Sequence, residues 1–207
     1  LFMRIFIAVL VLIFSLQSWT KADDISDFEI EGMSIGDSLL DHFSESEVID
    51  LKETYANIGD LYMFVSKKFY SITFTKHKKF NKYEDLQIVL KDNDTNYKIY
   101  AIQGIINYVD NISKCTKELD NIEIELDKLF KNAEKSKRNT LNLETERIGK
   151  YTLDRIGYFI GNDLINASCA DYLENEKYTI RDALRIAIRS EEFNKFINKH
   201  YWFQSIV

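Results

Sequence analysis

Proline is absent from all 207 residues, while Asn, Lys, Ile and Tyr are abundant. This bias reads as AT-rich coding rather than as a mark of function. Histidine is scarce: His42, His77 and His200 are scattered and form no His-Glu-x-x-His motif. With two cysteines expected to pair with each other, no zinc set remains. Those cysteines, Cys115 and Cys169, are not spaced as CxxC, which argues against a redox-active dithiol. The chain lacks a Gly-x-Ser-x-Gly elbow. Gly32 and Gly36 lack P-loop spacing, and no Lys-Ser or Lys-Thr follows them. An excess of positive charge is also lacking. The formal charge is −6, so a generic nucleic-acid binder is not expected. Apolar and aromatic residues are too frequent for a disordered chain.

What is present begins with a leader-like segment. Arg4 supplies a positive start after Met3, Ile5 to Phe14 is an unbroken apolar run, and residues 15–21 turn polar. Thr20 and Ala22 place small residues at −3 and −1 of a cut after Ala22. Residues 1–22 therefore read as a secretory signal peptide. The rival reading is an uncleaved anchor, but a spanning helix needs about 20 apolar residues and this run is shorter. No later stretch is long enough to span. No cysteine lies near the cut, so a lipoprotein is not expected. Residues 23–207 would form one domain with room for a core. Loss of Arg4 and Lys21, from a leader with no acidic residue, would take the charge to about −8.

The stretch GMSIGDSLLDHFSESEV (32–48) reads as a pair of helix starts. Ser34 with Asp37 resembles a capping box. Ser44 with Glu47 is a cleaner one, with Phe43 and Val48 as its hydrophobic staple. Period-2 alternation marks strands at FYSITFTK, DLQIVLK (85–91) and YKIYAIQGIINYV (97–109). Ile112, Cys115, Leu119, Ile122, Leu126 and Leu129 then form one apolar stripe on a helix from about 111 to 135. The stripe is too short for a coiled coil, so the helix is expected to lie on the sheet. Residues 134–146 read as a polar loop. Further strands follow at GKYTLDRIGYFIG, LINASCADY and ALRIAIR, and Ser190 caps a short helix. The expected fold is α+β: two short N-terminal helices, an antiparallel sheet of about six strands, and one long helix packed on it.

The two periodicities meet at the cysteines. Cys115 lies on the helix stripe, and Cys169 shares a strand face with Ile165 and Ala167. If those faces pack, the pair forms a structural disulfide suited to an exported protein. Asp92-Asn93-Asp94-Thr95-Asn96 imitates the start of a calcium loop, but Tyr97 and Gln103 replace the Gly and Glu an EF-hand needs. It reads as a hairpin turn. In KKFYSITFTKHKKFNKY, Lys76, Lys78, Lys79 and Lys82 gather beside Phe80 and Tyr83. This positive spot suits an anionic partner such as an envelope surface or protein. It also suits a solvated loop that protects a sheet edge. The terminal Tyr201, Trp202 and Phe203 are expected to close the core.

The segment DFEIEGMSIGDSLLDHFSESEV after an export signal, with the later LINASCADY and ALRIAIRSEEFNKFI, resembles an uncharacterised group of exported bacterial proteins. Ile30, Gly32, Met33 and Ser34 also resemble the turn into paired helices of the SmpA/OmlA-type outer-membrane assembly lipoproteins. Here the lipid-anchoring cysteine is missing and the chain is longer. These resemblances imply export and topology but no activity. The expectation is a periplasmic or secreted, non-enzymatic partner-binding module with no cofactor and no metal. Two alternatives stand beside it: a hydrolase using carboxylates, or a small-ligand carrier.

Overall fold

A computed structural model describes residues 25–58, 68–109, 111–145, 149–172 and 181–201. The leader expected over 1–22 and the terminal Trp202 and Phe203 lie outside the described residues. So do the side chains of Tyr201 and His200.

The expected disposition of the first helices needs correction. The described chain opens with a 3-10 turn (Ile25–Asp27) and a tight hairpin. Ile30 and Met33 exchange both backbone hydrogen bonds, 2.9 and 3.1 Å, around Glu31 and Gly32. Both turn residues have positive φ, 53° and 78°, as a type I′ turn requires. The first anticipated helix is only a 3-10 turn (Leu39–Asp41) capped by Ser38. Asp37 does accept from Ser34 N–H at 2.7 Å. Gly36, however, is left-handed at φ 97°, so the box closes a turn and no helix propagates. The second box works. Ser44 N–H donates to Glu47 Oε2 at 2.9 Å and Glu47 N–H to Ser44 Oγ at 3.4 Å. Helix α1 (Glu45–Ile58) follows, with Phe43 and Val48 both buried.

The sheet is antiparallel and has eight strands, not six: β1 (Phe69–Thr75), β2 (Asp85–Lys91), β3 (Ala101–Asn107), β4 (Glu134–Lys135), β5 (Asn139–Thr145), β6 (Gly149–Ile160), β7 (Asp163–Tyr172) and β8 (Ala183–Arg189). Their order is β1-β2-β3-β8-β7-β6-β4, with β5 also paired to β6. The two extra strands come from the segment expected to be a loop. Leu141 and Leu143 do alternate with Asn and Thr there, and long β6 offers an edge for both short strands.

Helix α2 (Ile112–Leu129) crosses between the two meanders and lies on β7 and β8. Asn111 Oδ1 caps it by accepting from Lys114 N–H at 3.1 Å. Its stripe residues Cys115, Leu119, Ile122 and Leu126 are buried. They meet Ile72, Ile88, Ile102, Ile156, Ile165, Ile186 and Ile188 from the sheet in the main core. Helix α3 (Glu191–Tyr201) covers part of the other face, where Phe193 and Phe196 rest among Phe69, Val89 and Ala101. No described helix is long and apolar enough to cross a membrane.

Candidate functional site

Cys115 and Cys169 form the expected disulfide, with Sγ–Sγ 2.07 Å and Cα–Cα 5.9 Å. Both are essentially inaccessible, at 0% and 1% exposure, so the bridge is a staple between α2 and β7. An ionic seam runs beside it. Asp154, the register partner of Cys169, accepts from Arg138 Nη2 at 2.6 Å. Arg138 Nη1 also reaches Asp120 at 2.6 Å and Glu123 at 3.1 Å on α2. Lys135 lies between Glu123 and Asp127, 2.9 and 2.8 Å away. The buried Tyr158 hydroxyl donates to Asp127 at 2.8 Å. Lys135 holds the Asp127 carboxyl below its ordinary value; burial, which raises it, is outweighed. These partners satisfy one another, so the seam fixes α2 to the sheet edge.

The four lysines singled out, Lys76, Lys78, Lys79 and Lys82, are all exposed on the loop between β1 and β2. This loop is held more firmly than a solvated spacer requires. Glu31 inserts its carboxylate beneath it and accepts from three successive backbone N–H groups: Asn81 at 2.9 Å, Lys82 at 2.7 Å and Tyr83 at 3.0 Å. Partial burial raises the Glu31 carboxyl, but these donors together hold it below its ordinary value. Under the other end, Phe43, Phe74, His77 and Phe80 make a continuous aromatic cluster with centroids 4.0–6.3 Å apart. Lys79 donates to His42 carbonyl oxygen at 2.6 Å and stands 5.0 Å over the Phe43 ring. Lys82 lies 5.8 Å over the Tyr83 ring. Sequence reading did not find Glu31. The usable signal was an Ile-Glu-Gly-Met hairpin, whose positive-φ turn aims the glutamate sideways.

The other candidates come out plainly. In the 92–96 turn, Asp94 accepts from Asn96 N–H at 3.0 Å and Lys98 N–H at 3.2 Å. Asp92 pairs with Lys52 at 2.9 Å. The turn therefore uses its own carboxylates. Among the described residues no group of three His, Cys, Asp or Glu side chains is placed to hold a metal. An open polar cleft of about 600 Å³ lies beside this turn, lined by Lys91, Asp92, Asp94, Lys98 and Tyr100 among others. Beside α2, Phe28, Tyr83, Ile122, Leu126 and Leu129 line a hollow of about 250 Å³, with Glu31, Glu125 and Lys82 on its rim. It is smaller than the usual small-molecule pocket of ~300–1,000 Å³. Among the described residues the carboxyl pushed up is Asp171, through burial and the neighbouring Asp182. It lines neither cavity.

Compared with known families, with curated proteins and with solved structures, the chain matches none.

Proposed function

We propose that this chain is an exported, non-enzymatic binding module that presents the 76–83 loop to an anionic partner of the cell envelope, a protein or a surface. One observation carries the reading: exposed lysines ride on a loop clamped from both sides. Glu31 holds three of its backbone N–H groups, and the aromatic cluster supports its other end. A pre-ordered loop has less freedom to lose on binding. The −6 charge of the chain makes this positive spot a local contrast. The leader pattern over 1–22 supports export. So does the buried disulfide, a bond favoured in oxidising compartments.

The test replaces Lys78 and Lys79 by glutamate in protein expressed through a bacterial export route. Envelope association is then compared in low and high salt. Association lost in the variant, and lost by the parent in high salt, supports the reading. Unchanged association in low salt removes it and leaves the loop as a solvated edge.

A further inference from the structure

The sheet face turned away from α1 and α2 has its own chemistry. Register places Arg155, Ser168 and Arg185 side by side across β6, β7 and β8. The next row on that face is Gly157, Asn166, Ala187 and Gln103. The row after it brings Leu164, Arg189 and Ala101. Three arginines thus stand around a floor with little side chain. Gly157, Ser168 and Ala187 are buried. Helix α3 forms a wall at one end through Phe193 and Phe196.

These arginines lack what Arg138 has. Arg138, tied to the α2 side of the sheet, meets three carboxylates. Among the described residues, Arg155, Arg185 and Arg189 make no ion pair. Arg185 donates Nη2 to the Tyr172 hydroxyl at 2.7 Å, and its guanidinium is 5.7 Å from that ring. Its Nε is buried with no hydrogen-bond partner, and so are Asn166 Oδ1 in the adjoining row and Asp85 Oδ1 two strands away in Arg185's own row. The Asn166 amide offers NH₂ at its position after a half-turn. Arg189 is half-buried, and the charge that acts on it is another cation, Arg155. Both effects hold its guanidinium below the ordinary value. A partly buried cation whose charged neighbour is another cation is costly in a free protein. Such local violations concentrate where a ligand completes the site.

We propose that this face binds a small oxyanion-bearing molecule, through a carboxylate or a phosphate group, held between Arg155 and Arg189 over Ala187 with Asn166 beside it. Guanidinium is the side chain that takes either group through two parallel hydrogen bonds. Arg189 is the half-buried anchor. Arg155 is exposed. The row Arg155, Ser168, Arg185 spans two strand spacings, roughly 10 Å, which sets the width of the ligand body. The site uses none of the residues of the 76–83 loop, so it stands or falls independently of that loop's role.

The experiment uses the oxidised full chain in a buffer free of phosphate and carboxylate. Inorganic phosphate and, separately, succinate are titrated at millimolar concentration by calorimetry and by thermal unfolding. Binding in the first arm identifies a phosphate group, and in the second a carboxylate. Arg155→Gln and Arg189→Gln should each weaken the active arm at least about tenfold, the scale of one charge-assisted hydrogen bond. Lys128→Ala, at an exposed position of α2, should not change it. Without ligand, Arg189→Gln should melt at or above the parent, because it removes an unpaired cation. Arg155→Gln keeps the fold at an exposed position and carries the affinity test by itself if Arg189→Gln does not fold. Three results would overturn the proposal: no binding in either arm, full affinity in the foldable variants, or a folded Arg189→Gln that melts well below the parent, which would mean that Arg189 is satisfied inside the chain.

Discussion

Gly104 offers a test in which two rules of thumb give opposite signs. It sits buried in β3, between Leu86 and Ile186 in register. Replacing a strand glycine by alanine ordinarily stabilises by about 0.4–1 kcal/mol, because the unfolded chain loses freedom. Here the Tyr83 ring lies on the Cα. A Cβ at 104 would fall 2.4 Å from Cδ1 and 2.6 Å from Cε1 of that ring. With its backbone N–H pinned to Glu31, the residue cannot shift as a whole, and the ring can clear that position only by turning about its side-chain torsions. It must leave its place over the strand. Exposing an aromatic side chain from full burial costs about 1.5–3 kcal/mol, and Tyr83 is partly buried, so roughly half of that applies. With some strain from overpacking, Gly104→Ala should destabilise by about 1–2 kcal/mol, or roughly 2–8 °C in Tm. The assay is urea unfolding of a double-mutant cycle with Tyr83→Ala. In the Tyr83→Ala background, Gly104→Ala should be neutral or stabilising. The ring gives a second signal. Burial pushes the Tyr83 phenol up to about 12, and its ionisation should move towards 10 in Gly104→Ala. A stabilising Gly104→Ala in the parent, or an equal cost in both backgrounds, would refute the packing argument.

Reducing the Cys115–Cys169 bridge, which spans a sequence separation of 54, should lower stability by about 4 kcal/mol in the chain-entropy account. The urea midpoint with and without reductant checks this, and a loss below about 1 kcal/mol would mean the bridge restrains little. Arg138→Met leaves Asp154, Asp120 and Glu123 without their shared cation. It should cost about 1–3 kcal/mol, and the gap from the parent should narrow in high salt. Acid should weaken the fold in a defined window. Asp92 is held low by Lys52, Asp127 by Lys135 and Glu192 by Lys68, and the Glu31 donors act alike. Depressed folded values mean that this stability is complete above the ordinary carboxyl range and disappears as pH falls through the lower folded values. Asp171 has the opposite sign: it weighs against the fold at neutral pH and is relieved by protonation. Urea midpoints should therefore fall below about pH 4, and Asp171→Asn should raise the midpoint at pH 7. A flat profile to pH 3 would contradict the assigned partners.

The sequence pattern located the bridge because two periods converged on it. Cys115 fell on a 3-4-3-4 stripe and Cys169 on an alternating strand face, and both are buried as those patterns require. The Ser44–Glu47 box was readable because a cap is local chemistry. The missed strands β4 and β5 were not readable in the same way. Leu141 and Leu143 lie among polar residues, and their strand state comes from the long edge of β6, a partner far along the chain. The lysines of the loop were visible as composition, but their support by Glu31 spans about fifty residues. The arginine face shows the limit most clearly. Arg185 and Arg189 alternate visibly in ALRIAIR. That Arg155 stands two strands from Arg185 follows only from the order β8-β7-β6.

The bridge between α2 and β7 also has a mechanical meaning. It closes the chain between Cys115 and Cys169 into a ring that contains β4, β5, β6 and most of β7. Drawn out by force applied on either side of that ring, the oxidised molecule would extend to a contour shorter than its residue count implies, by roughly 180 Å at full extension. The missing length would be released only by a reductant, so a pulling trace reports the oxidation state of a bond that no solvent-borne thiol reagent reaches in the folded protein.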